Sequence, residues 1–151
     1  PEIVKKFKLS NYFKSVAIRP GKPILFAKFK GKHKVIFGLP GNPISSAACF
    51  RFFVYPYLEN ILGIKEEKPI KAILINQFLK KINFTRFVKS KINTTKDGKF
   101  KVEILKGQES FRIKSFVGSN MWTLLPTGKS KFKKGDVVDC FFPNHPNKIF
   151  Y

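Results

Sequence analysis

Cysteine is scarce, with only Cys49 and Cys140, 91 positions apart. Neither lies in a CxxC pair or beside a histidine, which argues against zinc and iron–sulfur sites. Both are expected to be buried, reduced, structural thiols, a usage that suits the cytosol. Acid is also scarce: Asp and Glu number 9 against 30 Lys and Arg, for a net charge of +21. Those nine carboxylates include no DxD or ExxE cluster for a metal. His33 and His145 stand alone in polar segments with no Ser, Cys or carboxylate partner nearby, so no catalytic triad can be assembled. No apolar run approaches the ~18 residues of a membrane span. The start of the chain is charged, lacks Met and begins in mid-pattern. We therefore expect no signal peptide, no membrane partner and a fragment of a longer chain.

Arginine is the fourth shortage, and it bears on the charge. Of the basic residues 26 are Lys and 4 Arg, spread evenly as 13 over residues 1–68 and 17 over residues 69–151. Bidentate recognition of phosphate and bases favours arginine, so we expect no specific nucleic-acid partner. A basic module that binds nucleic acid or another polyanion stays as the alternative function, with non-specific adhesion to polyanions at low salt.

What is present is a 43% apolar chain of 151 residues, enough for a packed core in one domain or two small ones. Residues 3–9 read as the end of a helix. Short strands follow at 15–19, 24–29 and 34–39. Residues 43–62 have apolar positions at steps of three and four, with Asn42 as N-cap, Pro43 as first helical residue and Gly63 as C-cap. Pro56 inside that pattern predicts a kink or break. Lys65–Pro69 reads as a linker. Period-two strands then appear at 70–75, 84–93, 99–106, 121–126 and 137–142, with Asp97-Gly98 as a hairpin turn and one helical turn around Ile113–Val117. The expected class is an α/β part over residues 1–66 followed by a small, mostly-β, barrel-like part over residues 67–151.

Two glycine–proline loops carry the chemistry. The first is Arg19-Pro20-Gly21-Lys22-Pro23. The second, Pro40-Gly41-Asn42-Pro43, leads into Ile44, Ser45 and Ser46 at the start of the helix. Each alone reads as a plain turn. Together they bracket one hairpin-like unit that can converge at one end of a sheet, where backbone N–H groups, the helix N-terminus and the hydroxyls suit an anion. Arg19 and Lys22 add positive charge. Thr127-Gly128-Lys129-Ser130 resembles the tail of a P-loop, but position 123 is Thr where that motif needs Gly, and a turn follows instead of a helix, so nucleotide binding there is rejected.

Val16–Pro23 and Val35–Ser45, in that order and with a helix after the second, resemble the C-terminal half of the molybdopterin molybdenumtransferases, the MoeA family that includes the E domain of gephyrin. Asn83–Val88, Gly107-Gln108-Glu109-Ser110, Leu125-Pro126 and Lys134–Val138 are similar to landmarks of the family's terminal β domain, so the resemblance covers essentially the whole chain. It implies insertion of molybdate into adenylylated molybdopterin with release of AMP, a MogA-like α/β fold, Mg2+ as cofactor, a cytoplasmic location and a homodimer at full length. It also implies that Lys22 and Ser45 act in catalysis and that Arg19, Lys22, Ser45 and Ser46 face molybdate or phosphate. Pro20, Gly21, Pro23, Pro40, Gly41, Asn42 and Pro43 would shape the pocket. The family's Asp- and Gly-rich upstream segment, thought to help bind metal, is absent. The metal ligands are therefore expected outside this chain, and the chain alone is expected to be inactive.

Overall fold

The computed structural model describes residues 6, 7 and 9–144. Most of the helix end expected at 3–9, and His145, lie outside the described residues; Leu9 opens a strand instead. β1 (Leu9–Phe13), β3 (Leu25–Phe29) and β4 (Val35–Gly38) form an antiparallel sheet with β3 in the middle. Leu9 faces Phe29, and Phe26 faces Phe37. Pairing across the chain makes residues 9–13 extended, a partner that local pattern does not reveal.

α1 (Pro43–Cys49) starts as expected: the Asn42 side chain accepts the Ile44 N–H at 3.2 Å and Pro43 needs no donor. The helical run reaches Ile61, but in three pieces: α1, a π-helical turn (Phe50–Val54) and α2 (Tyr55–Ile61). Proline at 56 offers no N–H to the preceding turn. The break therefore falls upstream of it, where Tyr55 N–H reaches back five residues to Phe50 O. The wider turn brings Arg51 inward to 4% exposure, where it donates to Phe142 O at 2.8 Å and pairs with Glu67. Gly63 takes φ 66° and ends α2, with Ile64 N–H bonded to Glu59 O at 2.9 Å.

Five strands of the second half close on themselves. β7 (Thr85–Thr94), β8 (Phe100–Ile104), β5 (Ile70–Leu74), β11 (Val137–Phe141) and β9 (Met121–Leu125) pair in that order, and β9 pairs back to β7. The ring is a small barrel, which leaves it no free edge among these strands. β6 (Phe78–Leu79) and β10 (Lys131–Phe132) add a two-stranded ribbon that the sequence pattern did not announce.

Alternation along β7 and β9 serves two cores. Val88, Met121 and Leu125 join Leu74, Val102, Ile104 and Cys140 inside the barrel. Phe87 and Trp122 turn outward and pack with Ile18, Ile24, Ile44, Ala48 and Cys49 of the first half. Phe52 stacks on Phe87 with ring centroids 4.0 Å apart. β2 (Ile18–Arg19) lies parallel to the start of β7, pairing Ile18 with Thr85 and Arg19 with Arg86.

Both cysteines are free and buried. Burial pushes the Cys49 thiol from the ordinary 9.0 up to about 11. The native state thus holds this proton more tightly than the unfolded chain, and the associated stability is present below pH 9.0 and lost as pH rises towards about 11. At pH 8 a thiol-specific chromogenic reagent is expected to label neither cysteine in the folded protein and both in denaturant. Rapid stoichiometric labelling without denaturant would contradict the burial.

Candidate oxyanion site

β2 ends at Arg19 and delivers the chain into the first loop. That loop sits directly on α1. The Cys49 thiol donates to Gly21 O at 3.5 Å, Ile24 N–H to the same oxygen at 3.1 Å, and Val16 N–H to Lys22 O at 3.0 Å. Gly21 has φ 107°, and a Cβ there would lie 2.5 Å from Cys49 Sγ. Glycine is therefore required both by conformation and by space.

The first loop meets the start of α1 through Ser45, but the second loop itself does not reach the cavity, which departs from the convergence of the two loops that the sequence suggested. A cavity of about 570 Å³ is lined by Arg19, Pro20, Gly21, Lys22, Pro23 and Ser45 together with Phe78, Arg86, Gln108, Glu109, Ser110 and Phe111. Pro43 and Ser46 line a different cavity of about 390 Å³, with Leu39, Phe50 and Trp122. Pro40, Gly41 and Asn42 line neither; Asn42 caps the helix that carries Ser45.

Cations dominate the first cavity. Arg19 lies over the Phe84 ring at 4.7 Å and Lys22 over the same ring at 5.9 Å, so one aromatic ring steadies two cationic side chains. Arg86 is brought beside Arg19 by the parallel register of β2 and β7 and lies over Phe78 at 5.6 Å. Its Nε is sealed from solvent and has no hydrogen-bond partner, the one such side-chain atom among the described residues. Burial, and then the charge of Arg19, pull the Arg86 pKa below the ordinary arginine value, with Glu109 opposing them. Two neighbouring guanidiniums, one with an orphaned buried donor, make a site short of negative charge. In the sequence Arg86 stands within a strand motif, and nothing in the local pattern shows that it lies beside Arg19.

The arrangement defines a class: an α/β unit whose glycine–proline loop and helix start are completed by cations and a loop from a small closed barrel. Residues 1–60 match the family described as probable molybdopterin binding domain, and residues 71–141 match the MoeA C-terminal region (domain IV). The chain belongs to the MoeA family, as its C-terminal part. It is 37% identical over 142 residues to a molybdopterin molybdenumtransferase of Staphylococcus aureus (strain COL) and 35% identical to one of Staphylococcus epidermidis. Both alignments cover 92% of this chain and 33% of the relative, so the chain spans about a third of the curated relatives it matches. The fold is shared with the moeA protein of Pyrococcus horikoshii OT3, at TM-score 0.74 and 24% identity, covering 92% of this chain and 33% of that one. A molybdenum cofactor biosynthesis protein from Pyrococcus furiosus superposes at TM-score 0.71 and 24% identity, over 87% of this chain and 45% of that one.

Proposed function

We propose that this chain carries the oxyanion-holding part of a molybdopterin molybdenumtransferase site, which inserts molybdate into adenylylated molybdopterin and releases AMP. The observation that carries the reading is the meeting of Arg19, Lys22, Ser45 and Arg86 around one cavity with an unpaired buried guanidinium nitrogen. In this reading Lys22 and Arg19 hold the charge of molybdate or of the adenylate phosphate. The Ser45 hydroxyl donates to an oxyanion at the helix start, and Pro20, Gly21 and Pro23 set the loop's shape. Arg86 is the residue we add to the set. Pro40, Gly41, Asn42 and Pro43 act at one remove by starting the helix, and Ser46 faces away.

Among the described residues the donors do not fit Mg2+. Glu109 is the only carboxylate lining the cavity, and no group of three or more His, Cys, Asp or Glu is placed to hold a metal among the described residues. We place any Mg2+ ligands in sequence upstream of this chain, along with the rest of the substrate site. The chain alone is then inactive, and the complete protein is a cytoplasmic homodimer. No helix among the described residues is long and apolar enough to cross a membrane.

The test is molybdate-dependent AMP release from adenylylated molybdopterin by the protein with its natural upstream sequence restored. Release is expected to require molybdate and to fall about a hundredfold in Ser45→Ala, the usual scale for losing one oxyanion donor. Unchanged turnover in that variant, or turnover by the bare 151-residue chain, would sink the assignment.

A further inference from the structure

Lys89 is only 1% exposed, in a chain whose lysines are mostly solvated. It lies on β7 on the same face as Phe87. Its ammonium donates to Gly107 O at 2.7 Å, Glu109 O at 3.1 Å and Arg112 O at 3.2 Å, which uses all three of its protons. The backbone of Lys89 is held too. Its N–H donates to Gln108 Oε1 at 2.9 Å, and Gln108 Nε2 donates back to Lys89 O at 2.7 Å and to Leu105 O at 2.8 Å. Ser115 Oγ donates to Gly107 O at 2.6 Å. The segment 107–112 is thus pinned to the barrel from both sides. Burying an ammonium is expensive, and here the charge is spent on carbonyls of one loop.

Glu109, Ser110 and Phe111 of that loop line the same cavity as the cationic loop. Phe111 leaves 69% of its surface exposed. A cavity of about 570 Å³ is far larger than a tetrahedral oxyanion requires, and within the range that holds a ring-bearing ligand. Resting on the oxyanion reading above, we infer that Lys89 is a positioning residue. It fixes the Glu109–Phe111 wall, against which the flat heteroaromatic part of a phosphate-ester substrate lies while Arg19, Lys22 and Arg86 hold the anion.

The test is calorimetric titration of the chain with inorganic molybdate and, separately, with AMP, joined to amide hydrogen exchange. Lys89→Met is expected to weaken AMP about tenfold, the scale of one lost ring stack, and to leave molybdate within about twofold. Exchange should quicken at 107–112 and stay slow in the barrel strands. Lys89→Arg should restore most of the AMP affinity. Phe111→Ala, at an exposed position, should reproduce the AMP loss without faster exchange, so the idea stays testable even if Lys89→Met fails to fold. Equal losses for both ligands, or AMP affinity indifferent to Phe111→Ala, would overturn the wall. Wild-type binding of molybdate without AMP would overturn it and spare the oxyanion reading; binding of neither would end both.

Discussion

Replacing Arg86 with methionine is expected to make the protein more stable and worse at binding oxyanions. The two effects share one cause. In the free protein the guanidinium sits beside Arg19 with its Nε buried and unpaired. A half-buried guanidinium set beside a second cation, with one sealed donor unpaired, is a net cost to folding, and well-packed hydrophobic replacements of such groups are often stabilising. A gain of about 1 kcal/mol is expected, which for a chain of this size raises the melting temperature by about 2–4 °C. A charged hydrogen bond to a bound dianion is worth about 1.5–3 kcal/mol, so molybdate affinity should drop by about 10- to 100-fold. Thermal unfolding and titration of the same preparation check both halves. Arg86→Lys should keep part of the affinity, since it retains the charge and loses the planar fork. A variant that melts earlier and binds molybdate as before would show that Arg86 serves the fold alone.

Gly21→Ala should be among the most damaging single-methyl additions in the chain. The backbone there has φ 107°, which an L side chain rarely adopts, and the new methyl would lie 2.5 Å from Cys49 Sγ and 3.2 Å from Ile18 Cδ1. Conformational strain of about 1–2 kcal/mol and overpacking of about 1–3 kcal/mol together give an expected loss of about 2–5 kcal/mol in urea unfolding. The two parts separate in a double mutant. Cys49→Ala removes the sulfur that the methyl meets, so Gly21→Ala should cost less in that background by about 1–2 kcal/mol. Strict additivity would mean that the loop gives way and the contact carries no strain. The strain that remains would act on the segment between Arg19 and Lys22, so oxyanion binding should fall more than stability alone explains.

The readable parts of this chain were those that local chemistry decides. Asn42-Pro43 starts a helix wherever it occurs before an apolar repeat, and Asp97-Gly98 turns a hairpin between β7 and β8. Period-two strands from 70 onward, and the order of an α/β part before a mostly-β part, were legible for the same reason. Residues 9–13 were not, because their extension depends on β3, which lies beyond an intervening loop. Nor was the π-helical turn: a missing N–H at Pro56 marks a break but not the residue at which the ladder widens. The candidate site divides along the same line. Arg19 to Pro23 and Ser45 announced themselves through loop composition. Arg86 and residues 108–111 reach that cavity only because the barrel closes and β2 lies on β7, both long-range pairings.

The outward face of β7 and β9 gives the molecule a seam without a hinge. Phe87 and Trp122 belong to the barrel by connectivity and to the first half by packing, with Phe52 and Phe116 seated against them. The polar stretch at 65–68 looks like a place to cut and recombine. A graft made there would inherit half of a buried core and a parallel strand pair with one member missing. The two halves therefore share one core: a change of residue at Phe87 or Trp122 is felt across the seam, in the packing of Ile18, Ile24 and Ile44. The same packing holds β2 against β7 and so sets Arg86 beside Arg19.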